Sequence, residues 1–480
     1  MSQANDKIPD VREIPIGIDA QGEREEFDSL GVVNVPANHY WGAQTQRSLL
    51  HFSIGNDQMP LEVCRAYGYV KKAAAIVNAR VGRLPAWKAA LIAQTCDEII
   101  SGALDREFPL FVWQTGSGTQ TNMNVNEVIA NRCVQRVGGR LGSQTPVHPN
   151  DDVNMAQSSN DTFPTAMHIA GYQMLVEQTL PALKALSASL QKKSKAWAGV
   201  VKIGRTHLQD ATPLTVGQEW SGYVGALDDA IEALQRENEG LLQLAMGGTA
   251  VGTGLNATPG FGEAVAAELS RLTGYAYRTA ENKFAAQATL DRMVRVHAAL
   301  KTTAVTLYKI ANDIRWLGSG PRTGLMELHL PSNEPGSSMM PGKVNPTQAE
   351  AMMMVCIQIM GADVAVQMAG AEGNFELNAF RPVVIYNFLN SSRLMADACD
   401  LFREHMIEGT TLNEAQIAKN IAQSLMMATA LVPEIGYDQA SDIAHHAVAQ
   451  GLTLKEAALA HGVPEEVFDR LIVPMRMTHP

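Results

Sequence analysis

From about Thr165 to Gly370, apolar residues recur at steps of three and four, and no other property restricts the possible folds of this chain so strongly. Val176, Leu180, Leu183, Leu186 and Leu190 form one stripe, and Leu227, Ile231, Leu234 and Leu241 a second. Met353, Cys356, Met360, Val364 and Met368 form a third, and the run from Leu290 through Leu300 and Leu307 to Ile314 a fourth. Residues three or four apart share one face of a helix, so each stripe predicts a long amphipathic helix. Helices of this length cannot bury such stripes alone, and the spacing therefore predicts a mainly α protein built on a bundle with the stripes in its core. The methionines, including Met352, Met353 and Met354, are expected to fill irregular helix seams.

On either side the character changes. Phe27 to Asn160 is richer in Gly, Asn and Pro and reads as shorter helices, while after about Ala415 only small helices are expected, over Leu454 to Leu459 and Pro464 to Leu471. The reading is of three domains: a mixed, mostly helical N-terminal domain over 1–157 whose first 28 residues are a flexible polar extension, a long-helix domain over 158–414, and a small helical domain over 415–480. A chain of 480 residues, 46% of them hydrophobic, can bury a core of that size. Mean hydropathy is −0.07 and the sequence lacks the roughly 18 consecutive apolar residues of a membrane span, so no membrane partner is expected. The start of the chain carries Asp10, Glu13, Asp19, Glu23, Glu25 and Glu26, which fits neither a signal nor a transit peptide and points to the cytoplasm. A net charge of −11 argues against nucleic acid as a partner, although a few placed cations could still attract an anionic substrate. Five cysteines, odd in number and without a C-x-x-C pair, read as buried free thiols.

Between the stripes lie four segments dense in small hydroxyls, amides and glycines: Thr115 to Asn122, His148 to Asp161, Gly204 to Pro213, and Gly336 to Pro346. A nucleotide site fails on spacing. Gly116-x-Gly118 is followed by Thr121 where a third glycine belongs, and Pro341-Gly-Lys343 lacks the glycine and hydroxyl partners of a phosphate loop. Metal chemistry is not expected either: His445 and His446 are adjacent and so point apart on a helix, and the cysteines do not cluster. The segment Gly336 to Asn345 has a more specific meaning. Its glycines let backbone N–H groups turn inward as an anion nest, Lys343 adds a cation, and Pro346 with Thr347, Gln348 and Glu350 predicts a helix starting there.

Gly336-Ser-Ser-Met-Met-Pro-Gly-Lys-Val-Asn-Pro resembles the signature loop of the fumarase/aspartase superfamily, homotetrameric lyases that remove a group beta to a carboxylate and in most members release fumarate. The likeness runs from about Gly31 to about Leu471. In Trp41-Gly-Ala-Gln-Thr-Gln-Arg47, His148-Pro-Asn-Asp-Asp, Ser158-Ser-Asn-Asp, Gly204-Arg-Thr-His-Leu-Gln-Asp and Asn374-Phe-Glu-Leu-Asn it is similar to the class II fumarase branch.

The resemblance implies reversible anti elimination of water from malate without metal or organic cofactor. By the same likeness Ser337 is the base for the C3 proton, His207 the acid for the departing hydroxyl, Glu350 the carboxylate that orients it, and Lys343 the stabilising cation. Substrate contacts carried over are Ser117, Gly118, Thr119, Asn122, Ser158, Ser159, Asn160, Thr206, Lys343 and Asn345. A second anion site falls on His148, Pro149, Asn150 and Asp151, with Thr145 where some relatives place an arginine, which weakens the expected affinity there. It also implies a homotetramer whose active sites draw on three subunits. Two alternatives remain at this stage: an aspartase-like lyase releasing ammonia, and an inactive structural protein on the same fold.

Overall fold

Each predicted stripe becomes a helix, and the computed structural model, which describes residues 9–479, shows where the pattern breaks. The first eight residues of the acidic extension and Pro480 lie outside the described residues. The protein is mainly α, with strands confined to four two-stranded pairings among the described residues. The stripe ending at Ile314 is one helix, Asp291–Leu317, with Leu300, Leu307 and Ile314 buried. The stripe from Leu180 to Leu190 lies in helix Leu180–Ala196. A π-helical turn, Leu175–Thr179, precedes it, because Pro181 has no N–H to bond one turn back. Leu227, Ile231 and Leu234 are buried on helix Val216–Asn238, and Leu241 follows in a 3-10 turn.

The helix of the third stripe, Thr347–Ala371, departs from expectation. Met353 and Cys356 are buried as predicted, but Val364 and Met368, assigned to the core, are 57% and 68% exposed, and Met354 is exposed as well. The buried face runs through Met352, Cys356, Ile359, Ala362, Val366 and Ala369. This helix is apolar all round, so the sequence alone could not say which face turns inward.

The chain divides into two compact units. The first comprises the chain up to Thr179, Ala233–Lys301 and Gln358–Arg393. Its helix Leu61–Arg80 packs on helices Ala86–Ile100 and Ser159–Met174. Three of its long helices are tied by a buried polar cluster: His297 meets the Asp363 carboxylate (2.8 Å) and the Ser391 hydroxyl (3.0 Å), and Lys301 donates to Asp363 (2.7 Å). Burial raises the Asp363 carboxyl, but those bonds hold it below its ordinary range overall.

The described end of the acidic extension is not free, as expected, but a strand. β1 (Glu23–Asp28) pairs antiparallel with β2 (Gly31–Pro36). The Arg24 guanidinium binds Glu26 (2.6 Å) and donates to the carbonyls of Pro36, His39 and Trp41. Its charges hid the alternation of a strand that one arginine fastens. The Trp41 to Arg47 motif is likewise held: the Glu127 carboxylate accepts from the N–H groups of Gly42, Gln44 and Thr45 at the start of helix Ala43–His51.

The second unit comprises Leu180–Glu232, Thr302–Ile357 and the chain from Leu394 on. Its last helices, Tyr437–Gln450, Leu454–Ala460 and Glu465–Leu471, close around a core of Leu431, Ile443, Ala447, Leu454, Ala457 and Phe468. All five cysteines are free and buried, and burial raises every thiol, Cys133 and Cys356 to about 12.

Candidate active site

The residues expected at the site fall into two groups, one in each unit. In the first unit, two helix starts converge. Helix Thr119–Arg136 begins after Gly118, which sits at φ 78°, and helix Ser159–Met174 begins after Ser158. A Cβ on Gly118 would stand 2.2 Å from the Phe163 ring, so only glycine fits this turn. Ser158 Oγ accepts from Asn160 N (3.1 Å), and the Asp161 carboxylate accepts from Ser158 N (2.9 Å), a capping box that sets the helix start. Asp161 also takes the N–H groups of Gly247 (3.1 Å) and Thr249 (3.0 Å), and burial lifts its carboxyl to about 6.

A chain of hydroxyls joins the two starts: Ser117 Oγ lies 2.9 Å from Thr119 Oγ1, which lies 2.7 Å from Ser159 Oγ. Thr119 and Ser159, though not Ser117 or Gly118, open on a cavity of about 640 Å³ that Asn122, Ser158, Asn150 and Asp151 also line. Two helix N-termini aim their partial positive charges into this space, which is the physical signature of an anion site. Asn160 does not line it and instead donates to Ala250 O (2.8 Å). His148 Nδ1 accepts the N–H groups of Asn150 and Asp151 (3.1 Å each). Those donors are thereby spent on capping the turn Pro149–Val153.

In the second unit, Thr206 and His207 sit on a hairpin absent from the sequence reading. β3 (Val201–Thr206) pairs with β4 (Gln209–Thr215), and the turn has only His207 and Leu208 at its tip, at φ 56° and 60°. Such tips favour Asn-Gly, and no such pair marks the turn here. The hairpin is anchored by the buried Glu327 carboxylate, which binds Arg205 (2.7 Å), Lys202 (2.9 Å) and Asn420 (2.9 Å). Burial raises Glu327, but the two cations hold it below its ordinary range.

The loop Gly336 to Pro346 closes on itself. Gly336 N donates to Lys343 O (2.9 Å), and Asn345 Nδ2 donates to Gly336 O (2.6 Å). Within it Ser337 Oγ accepts from both Met339 N (3.1 Å) and Met340 N (2.9 Å). Helix Thr347–Ala371 follows, with Glu350 in its first turn. No hydrogen bond or ion pair joins His207 to Glu350 among the described residues. A cavity of about 780 Å³ also lies in this unit and includes Thr206, with Arg205, Lys309, Glu219 and Asp313 in its wall.

Three residues near these groups escaped the sequence reading. Glu327 lies in an irregular stretch without a pattern, and buried Arg381 follows the Asn374 to Asn378 motif. Lys71 had a readable signal: with Cys64, Tyr67, Ala74 and Asn78 it falls on a helical stripe, a place where lysine is rare.

A profile of the lyase family ("Lyase") matches residues 31–361, and one described as "Fumarase C C-terminus" matches residues 427–479. The chain is 62% identical over 471 residues to "Fumarate hydratase class II" of Methanosarcina acetivorans, covering 98% of this chain and 97% of that protein. It is 57% identical to the protein of the same name from Thermosynechococcus vestitus, covering 94% and 96%. Among solved structures it is similar to the class II fumarase of Schistosoma mansoni, with TM-score 0.94 and 42% identity over 96% of this chain and all of that one.

Proposed function

This chain belongs to the lyase family that includes the class II fumarate hydratases, and from that premise we infer how its residues add and remove water between fumarate and malate. The observation that carries the reading is Ser337 Oγ with two backbone N–H groups directed at it, in a loop that also bears Lys343. A serine is a poor base unless its alkoxide is stabilised, and fixed donors supply that stabilisation without reorganising. Ser337 takes the C3 proton, and the electron pair left on carbon spreads into the adjacent carboxylate. Lys343 meets the second negative charge that develops there. Asn345, whose amide braces the loop, keeps that cation in place. His207 then protonates the departing hydroxyl, the C–O bond breaks, and the double bond forms.

The hydroxyl-lined cavity at the two helix starts holds the other end of the dicarboxylate. Glu350 orients His207 only if supplied by another copy, and we propose a homotetramer whose sites draw on three subunits. The exposed face Met354, Ile357, Val364 and Met368 of helix Thr347–Ala371 supports that assembly, since apolar patches of this kind cover one another. We place the protein in the cytoplasm.

Malate and aspartate, offered separately, test the reaction through the ultraviolet absorbance of fumarate. Product from malate is expected, and product from aspartate alone would overturn the assignment. Ser337→Ala and His207→Asn are each expected to lower kcat roughly 10²- to 10⁴-fold with assembly intact. A near-normal rate in either variant removes that residue's role.

A further inference from the structure

Behind the cavity of the first unit lies a charge that this mechanism leaves unused. Lys71 is 0% exposed, and its ammonium donates to Asn122 Oδ1 (2.7 Å), Asn154 Oδ1 (2.9 Å) and Gln157 Oε1 (3.0 Å). All three acceptors are neutral amides, and all three line the cavity. A buried cation is ordinarily hydrogen-bonded to a carboxylate, because leaving water costs several kcal/mol per ion. The buried carboxylate that acts on Lys71 is Asp161, yet the contacts described above commit Asp161 to three backbone N–H groups. Arg381 is a second buried cation under the influence of the same Asp161, and its Nε and Nη1 have no partner among the described residues. Two cations thus share one carboxylate beneath a wall of hydroxyls and amides.

We propose that Lys71 is a positioning residue for the anionic substrate, its ammonium supplying, from one amide layer behind the wall, the counter-charge for the carboxylate seated at the two helix starts. That carboxylate keeps its single charge throughout the reaction, so Lys71 acts on ground state and transition state alike. It also fixes the wall: Asn122 Oδ1 accepts from both Lys71 and Thr162 (3.2 Å), which leaves Asn122 Nδ2 directed to Asn154. Burial holds the Lys71 amine down to about 7. The titratable groups that face it are Asp161 on helix Ser159–Met174, Cys96 on helix Ala86–Ile100 and Tyr67 on its own helix. Helix Thr119–Arg136 and the turn after Pro149 face it with the amides Asn122 and Asn154. Above pH about 7, where part of the amine is uncharged, an arriving carboxylate therefore draws a proton onto it.

The inference rests on the dicarboxylate reading above, and the experiment separates the two. In the assembled enzyme, Lys71→Met is expected to raise KM for malate roughly 10- to 100-fold, the value of one charge acting over a few ångströms in moderately polar surroundings. Since uniform binding is lost, kcat stays nearly unchanged. An unaltered KM, or a loss confined to kcat, overturns the role of Lys71 while leaving the reaction assigned. Where Lys71→Met does not fold, calorimetry with succinate on His207→Asn, in two buffers of different ionisation enthalpy near pH 8, decides. Proton uptake on binding supports Lys71 as acceptor, and its absence overturns it. Wild-type protein that neither turned over malate nor bound succinate would overturn both readings.

Discussion

His207 and Leu208 occupy a conformation that costs residues with a Cβ roughly 1–2 kcal/mol each, so the proposed acid sits on a strained tip. Leu208 contributes little burial there, being largely exposed. Leu208→Gly is expected to stabilise the protein by about 0.5–1 kcal/mol, net of the added freedom of the unfolded chain. A lower melting temperature would dismiss the strain. His168 makes a different prediction. Burial, aided by the Arg292 charge, pushes its imidazole down to about 4, and its Nδ1 meets Gln243 O (2.8 Å). Between that value and the ordinary 6.5, the unfolded chain binds a proton that the folded chain refuses. Its contribution is full above pH about 6.5 and is lost as pH falls toward about 4, on the order of 3 kcal/mol. The stability gap between wild type and His168→Gln is therefore expected to narrow between about pH 7.5 and pH 5, and a constant gap would contradict a neutral, buried His168. At this scale legibility varied. The loop that bears Lys343 was readable from its glycines, and the part given to Ser337 in it only from resemblance, while Lys71 left its signal as a lysine on the helical stripe of Cys64, Tyr67 and Ala74.

Helices were the most legible elements, since a stripe of leucines has one plausible partner surface. Their faces were not. Helix Thr347–Ala371 presents apolar residues all round, and the stripe chosen by spacing drifted from the buried face at Cys356 to the exposed one at Val364 and Met368. Val364→Glu is expected to leave the chain folded but to shift it to smaller species in size-exclusion chromatography, with loss of activity. A variant that elutes with the wild type would show that this face does not carry the proposed assembly. The hairpin β3–β4 was illegible for a converse reason: its tip, His-Leu, lacks the residues that normally announce such a turn, and its anchor Glu327 lies more than a hundred residues downstream.

At the scale of the whole molecule, a protein of net charge −11 handles a dianion through local arrangement. In the proposed site, two helix starts and a few cations face the anion. The proposed chemistry uses side chains of this protein only, and no group of three or more His, Cys, Asp or Glu among the described residues could hold a metal. Treatment with EDTA is expected to leave turnover unchanged. Activity that vanished and returned with added iron or zinc would contradict the scheme. The four polar segments were legible in the sequence, but the proposed completion of the site by other copies came from resemblance, because periodicity within one chain carries no record of its neighbours.

The five sheltered thiols make the molecule its own stopwatch. Each is spread onto a different helix and is held protonated, so an alkylating reagent finds no thiolate until that helix breathes. Labelling, mapped cysteine by cysteine, would therefore time the loosening of each part of the fold, with Cys356 reporting on helix Thr347–Ala371 and Cys133 on helix Thr119–Arg136.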